Sequence, residues 1–375
     1  MKIACITSFR IPANTANSIQ VMKACQALIQ NNHSIHLWVP GSQEFSQEKL
    51  KTQYGLTETL PTTWLPIHPA LKRYDFAFKA LSKAQSWDAE LIYTWMPQVA
   101  LLAQIKNIPV VLELHDLPTG RIGPWLVKTI IKRKKNSRLL LITEALRKKM
   151  EKQLALPLET GFVQIAPNGT EMQRYADLPD PQTARKKLGL SERLTVAYTG
   201  HFYHGRGMEI ILDLIRHFPD VNFLIVGGQP EKVTEWQDLL QDSNINNTHT
   251  TGFIDNLHLP IYQAAADILL MPYGQTITGS GGGNTADICS PMKMFDYMAV
   301  GRAIISSDLP VLHEVLDENN AVFCPPDDPS AWRNALSTLV NNPEMRSNLG
   351  IQAHKDAEQY SWTTRALKAL QGFDL

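Results

Sequence analysis

The chain has 375 residues, 44% of them apolar and 19% charged, and its 36 basic residues balance its 36 acidic ones. That length exceeds what one ordinary core fills, so two domains are expected, and the composition is that of a soluble globular protein rather than a disordered or fibrous one. No apolar run approaches the ~18 residues a membrane span needs, and the N-terminus MKIACITSF lacks a signal-peptide core.

Cys5, Cys25, Cys289 and Cys324 are scattered without metal or redox spacing, which fits reduced cytosolic thiols. The charge balance is uneven along the chain. Residues 1–170 hold 21 Lys and Arg against 11 Asp and Glu, an excess that points to an anionic partner for the first half.

In chain order, KIACIT (2–7) reads as a strand, and the loop SFRIPANTAN leads into a helix beginning near Ser18. HSIHLWVP, ELIYTW, IPVVLELHD and SRLLLITE supply further strands, with helix-length segments between them. This β-loop-α rhythm predicts a parallel, doubly wound sheet. VQIAPNGTEM (163–172) closes the series with a Pro-Asn-Gly turn, and a polar stretch follows. LTVAYTG (194–200), VNFLIVGG (221–228), ADILLMPY (266–273), RAIISSD (302–308) and NAVFCPP (320–326) form a second set of strands. The expected fold is α/β, with two Rossmann-like lobes facing across a cleft. An N-terminal domain spans 1–170, a C-terminal domain spans 171–358, and a last helix, about 359–375, packs back on the first.

Ligands of open α/β sheets bind at the carboxyl ends of strands, where loops meet helix starts. Gly200, Gly205 and Gly207 follow a strand there and let backbone approach a phosphate, with Arg206 adding a permanently charged fork. SPMKMFDYMAVGR (290–302) opens with Ser290 as N-cap and Pro291 at the first helical position. Lys293 then falls in the first turn, where the helix dipole already carries positive charge. A cation there is tolerable if an anion shares the helix end. Gly279, Gly281, Gly282 and Gly283 precede it with little side-chain bulk, and Asp296 lies one position further round, where it can accept hydrogen bonds from ribose hydroxyls. From these residues alone the plainer readings stay open: a flexible turn with a surface arginine, and a lysine swung to solvent.

Taken together, the two-lobed pattern, the PNG turn, the Arg-Gly pair after the first strand of the second lobe and SPMKMFDYMAVGRAIISSDLP resemble the GT-B fold family 4 (group 1) glycosyltransferases. The likeness covers nearly the whole chain and is strongest over 194–317. It implies transfer of a sugar from a nucleotide-diphosphate sugar to a hydroxyl acceptor, with retention of configuration and neither metal nor separate cofactor. Glycoconjugate, glycolipid or polysaccharide synthesis is the implied setting.

Carried over, Arg206 neutralises the donor diphosphate, and Lys293 supplies charge that the altered motif lacks. His115 stands near the donor sugar or the departing phosphate. Gly200, His201, Gly205, Ser290 and Pro291 contact sugar or phosphate, Asp296 holds the ribose, and the loop with Gly252 and Phe253 borders the base through its backbone. Two departures stand out: Ile288 occupies the place of the first acid, with Asp287 one position off register, and His201 replaces an arginine.

The polar loop 9–18, with Asn14, Thr15 and Asn17, is suited to a saccharide, lipid-linked or small-molecule acceptor. PWLVKTIIKRKKNSR (124–138) and LKRYDFAFKALSK (71–83) mix cations with apolar residues, as in helices that rest on an anionic membrane surface. A cytoplasmic protein, peripheral on the inner face of the membrane, is the corresponding expectation. Nucleic acid is not expected, because no aromatics interleave a basic groove. A nucleotide-sugar epimerase or hydrolase, or a non-catalytic sugar-nucleotide-binding protein, are the alternatives.

Overall fold

The computed structural model describes residues 1–68, 71, 73–134, 136–277 and 284–373, so the glycines at 279 and 281–283 lie outside the described residues. The chain divides into two compact units, one of Met1–Asn168 with Trp362–Leu375 and one of Gly169–Ser361.

The first unit holds strands β1 (Lys2–Ile6), β2 (Ser34–Pro40), β3 (Thr62–Leu65), β4 (Leu91–Thr94), β5 (Val110–Leu114), β6 (Ser137–Leu141) and β7 (Val163–Ile165). They pair in parallel in the order β3-β2-β1-β4-β5-β6-β7. The second unit holds β8 (Thr195–Thr199), β9 (Asn222–Val226), β10 (Thr248–Gly252), β11 (Ile268–Met271), β12 (Ala303–Ser307) and β13 (Val322–Cys324), again parallel, in the order β10-β9-β8-β11-β12-β13. Helices cover both faces of such sheets, so central strands are apolar along their whole length rather than alternating. Strands β4, β8, β9, β11 and β12 are buried at every residue. In each sheet the winding reverses beside the first strand, between β1 and β4 and between β8 and β11. A topological switch point of that kind is where doubly wound sheets hold ligands.

Three strands carry no clear sequence signal: β3, β7 and β10. All three are sheet edges, and β10 (THTTG) has no buried residue. An edge strand needs only one apolar face and is kept short or polar, so the apolar run that marks a central strand is missing.

Two helix starts also differ from expectation. The first helix begins at Ala16 with Thr15 as its N-cap, the Thr15 hydroxyl accepting from the Ser18 N–H at 3.3 Å. The helix expected to open at Pro291 runs Met292–Val300, because Pro291 itself is extended (φ −68°, ψ 123°) and takes the cap position without a side-chain bond. Lys293 is therefore the second helical residue, closer still to the positive end. The closing helix, Trp362–Leu370, belongs to the first unit.

Candidate active site

Strand β8 ends at Thr199, and from Gly200 the chain loops to Gly207, which caps the helix Met208–His217. The loop leaving β11 crosses it. A Cβ on Gly205 (φ 79°) would lie 1.8 Å from the carbonyl oxygen of Thr276, and the Gly274 N–H donates to the Gly205 carbonyl at 3.0 Å. Only glycine permits that approach. The two loops of the switch point are thus locked together, with Arg206 held between the glycines at 205 and 207.

The helix Met292–Val300 aims Lys293 into the same place. A Cβ on Gly200 would come within 2.7 Å of Lys293 Nζ and 3.1 Å of Tyr198 Oη, so the bare backbone of Gly200 makes room for the ammonium. Lys293 Nζ lies 3.9 Å from the centre of the Tyr198 ring and 5.5 Å from that of Tyr273, and the Arg206 guanidinium lies 5.1 Å from the Tyr273 ring. Two cations therefore share one tyrosine. Ring faces attract cations, by about 0.5–2 kcal/mol each, which offsets part of the repulsion.

What this cluster lacks is a paired acid. Among the described residues no carboxylate pairs with Arg206 or Lys293, and Lys293 Nζ and Arg206 Nε are buried without a hydrogen-bond partner. The neighbours that could ionise are held neutral. Burial pushes the Tyr273 phenol and the Cys289 thiol each up to about 12, against the opposing charge of Arg206. Burial likewise drives the Tyr198 phenol well above its ordinary range. For Lys293 the same desolvation, and then the nearby Arg206 charge, drive the amine well below its usual pKa. Two half-buried cations without a counter-charge are costly, and a polyanion would relieve that cost.

The remaining expected residues distribute as follows. Ser290 is buried just before the helix. Ile288 is buried and apolar, so the position of the missing acid is part of the core, while Asp287 is exposed. Asp296 does not join the cations: its carboxylate accepts from Thr170 Oγ1 at 3.0 Å, and burial and then its charge raise the Tyr175 phenol. Thr170 thus meets the helix Met292–Val300 through Asp296. The His201 carbonyl accepts from the Tyr198 hydroxyl at 2.7 Å, and its ring stacks on Tyr203. Gly252 ends β10 and Phe253 follows it, exposed.

In the first unit, Asn14 accepts from Gln53 at 2.7 Å, Thr15 is committed to its helix cap, and Asn17 is half-buried. His115 Nε2 lies 2.6 Å from Glu113 Oε1. Of the aromatics in the segment 71–83, Phe76 is in the core, whereas Phe78 is exposed. Sequence reasoning missed the tyrosines at 198 and 273, and also Glu113. The available signals were a tyrosine directly before the glycine loop and a lone acid inside the apolar run VVLEL. No group of three or more His, Cys, Asp or Glu stands close enough to hold a metal ion among the described residues.

Comparison with known proteins gives three findings. Residues 193–342 match the family model described as "Glycosyl transferases group 1". Over 99% of its length the chain is 23% identical to the phosphatidyl-myo-inositol mannosyltransferase of Mycolicibacterium smegmatis, covering 92% of that protein. Its fold is similar to sucrose-phosphate synthase of Thermosynechococcus elongatus (TM-score 0.75, 18% identity, 99% and 98% of the two chains). It is equally similar to HepE of Anabaena solved with UDP (TM-score 0.75, 16% identity, 100% and 99%).

Proposed function

We propose that the chain, whose residues 193–342 match the group 1 glycosyltransferases, acts as one and breaks a nucleotide-diphosphate sugar by electrostatic stabilisation of the leaving diphosphate. The observation that carries this reading is the pair Arg206 and Lys293, half-buried together against Tyr273 with no carboxylate paired to either among the described residues. A diphosphate brings the two negative groups the pocket lacks. Charge grows on its leaving oxygen as the glycosidic bond breaks, so fixed cations there bind the transition state more tightly than the ground state. With two cations in place, no metal is required to offset that charge. The hydroxyl of the acceptor enters on the face the leaving group departs from, giving retention, and its proton passes to the departing phosphate. Asp296, one turn from Lys293, takes the ribose hydroxyls by exchanging its bond to Thr170.

Within the first unit, the candidate substrate contacts in this reading are His115 for the donor, and Asn14 and Asn17 for the acceptor. The mannosyltransferase relative acts on phosphatidyl-myo-inositol, and this supports a lipid-linked acceptor presented at a membrane surface. The exposed apolar and basic face of the helix Ile122–Arg133 supports the same reading. No helix of the described residues is long and apolar enough to cross a membrane.

The test is a donor screen with UDP, GDP and ADP sugars, read as nucleotide release with and without acceptor, on the native protein and on Arg206→Ala and Lys293→Met. Loss of one charge-stabilising group from such a site costs roughly 10²–10³ in turnover, and that is the expected fall for each variant. Turnover within about threefold of native, well under 1 kcal/mol, would reject the assignment. Release of nucleotide at an unchanged rate without acceptor, or an altered sugar still on its nucleotide, would instead identify a hydrolase or an epimerase.

A further inference from the structure

Strand β5 carries an ionised group in a place built for apolar ones. Glu113 is 1% exposed, yet its carboxylate gathers donors from three elements and from the loop after β5. Gln20 Nε2 donates to Oε1 at 2.6 Å from the helix Ala16–Gln30, and the Tyr93 hydroxyl donates to Oε2 from β4. Arg365, on the closing helix, donates to Oε1 at 2.5 Å and to Oε2 at 3.2 Å. The fifth donor is His115 Nε2, at 2.6 Å. Glu113 and His115 are two residues apart, so they project from the same side of the strand line.

We propose that Glu113 is the positioning residue of His115, fixing its ring and its tautomer so that the ring meets substrate through Nδ1, with Arg365 holding Glu113 in place. This rests on the reading that His115 contacts substrate.

The chemistry follows from the donor inventory. An ionised carboxylate only accepts, so the ring nitrogen facing it must carry the proton. Burial alone would raise the Glu113 carboxyl, but the Arg365 charge, then the His115 and Arg365 hydrogen bonds, outweigh it and hold the group well below the usual carboxylate range. Nε2–H is thereby committed to Glu113. In the neutral ring Nδ1 is the remaining nitrogen, and it carries a lone pair. The His115 side chain is 15% exposed, so an edge of the ring reaches solvent. A neutral His115 held this way accepts a hydrogen bond, which selects a hydroxyl of the substrate over a phosphate oxygen. The arrangement follows the logic of a buried acid orienting a functional histidine. Arg365 also donates to the carbonyls of Ala166 and Pro167, at 3.1 and 2.8 Å. The acid, the histidine and the end of the first unit therefore share one guanidinium.

The direct test is nitrogen-15 spectroscopy of histidine-labelled native protein, with His115 assigned from the signal lost in His115→Asn. The expected spectrum, recorded where the ring is neutral, shows a protonated Nε2 and an unprotonated Nδ1. A ring protonated on Nδ1 alone would overturn the proposal, without any variant having to fold. The kinetic test is Glu113→Gln, whose amide can present N–H to the ring and reverse the tautomer. We expect kcat to fall about 100-fold, the scale of a misassigned acid–base partner, with donor KM within threefold. A purely structural Glu113 would lower thermal stability and leave kcat per folded molecule unchanged, and that result is contrary. If His115→Asn keeps full turnover, the premise that His115 touches substrate fails, while the tautomer measured on native protein still reports the geometry separately.

Discussion

At the scale of single residues, Lys293 is the most informative side chain, because its environment has a sign. Desolvation and the Arg206 charge place its folded-state pKa below the ordinary value near 10.5. The unfolded chain then binds more protons in the interval between the folded and unfolded values. Stability of the free protein consequently rises with pH through that interval, and the full cost of the buried charge applies below it. A diphosphate reverses the sign: it favours the charged amine and raises its pKa. Binding of UDP within that interval should therefore take up a proton, and calorimetry in two buffers of different ionisation enthalpy measures it. Affinity should weaken as pH rises within the interval, by at most about tenfold per pH unit, equivalent to 1.36 kcal/mol. Lys293→Met should abolish both effects. Identical enthalpies in the two buffers for native protein would show that Lys293 does not change protonation. Lys293 and Arg206 were both legible in the sequence, one as a cation at the wrong helix end and one as a cation between glycines. Their tyrosine partners were not, because a tyrosine in a buried strand looks like any core aromatic until the fold sets a charge beside it.

At the scale of elements, the site depends on two loops crossing at Gly205. Gly189 offers a comparison, since it also has a left-handed backbone (φ 67°) but an added Cβ there meets nothing within 4 Å. Gly189→Ala should cost about 1 kcal/mol, the price of the backbone conformation alone, and leave UDP affinity unchanged. Gly205→Ala carries the same conformational cost plus a collision with Thr276, and overpacking adds typically 1–3 kcal/mol. Thermal unfolding should rank the two in that order, and only Gly205→Ala should weaken UDP binding; equal losses of stability with unchanged affinity would mean that the crossing of the loops does not shape the site.

The same division explains what could be read from the chain. Central strands such as β8 and β12 announce themselves as apolar runs because both of their faces are covered. The edges β3, β7 and β10 do not, since a polar strand such as THTTG is recognisable only once β9 pairs beside it. Glu113 was hidden for a related reason: the partner that makes a buried acid tolerable, Arg365, is 252 residues away in sequence.

At the scale of the whole molecule, the uneven charge acquires a location. The helix Ile122–Arg133 buries Leu126, Val127, Ile130 and Ile131 against the first unit. Its outer stripe follows helical spacing from Arg121 and Ile122 through Trp125 to Lys132 and Arg133, with Ile122 and Trp125 exposed at 57% and 61%. Not every nearby cation is available, because Lys134 pairs with Glu159 at 2.5 Å and Lys128 donates to the Leu154 carbonyl at 2.8 Å. The stripe keeps three cations beside two large apolar side chains, a combination that suits the boundary between lipid headgroups and acyl chains. Each basic residue near an anionic surface contributes about 1 kcal/mol, so removing Lys132 and Arg133 should weaken attachment by one to two orders of magnitude. Sedimentation with vesicles containing phosphatidylserine measures this directly. Native protein should bind at low salt and be released at about 0.5 M, where screening shortens the reach of charge to a few ångströms. Trp125→Ala should reduce the fraction that resists salt, and Lys132→Ser with Arg133→Ser should lower affinity most at low salt. Transfer to a soluble acceptor should be unchanged in all of these variants, since none touches Arg206 or Lys293. If native protein stays in the supernatant at low salt, the membrane reading fails. If the double variant sediments as native does, the surface that meets lipid lies elsewhere on the chain.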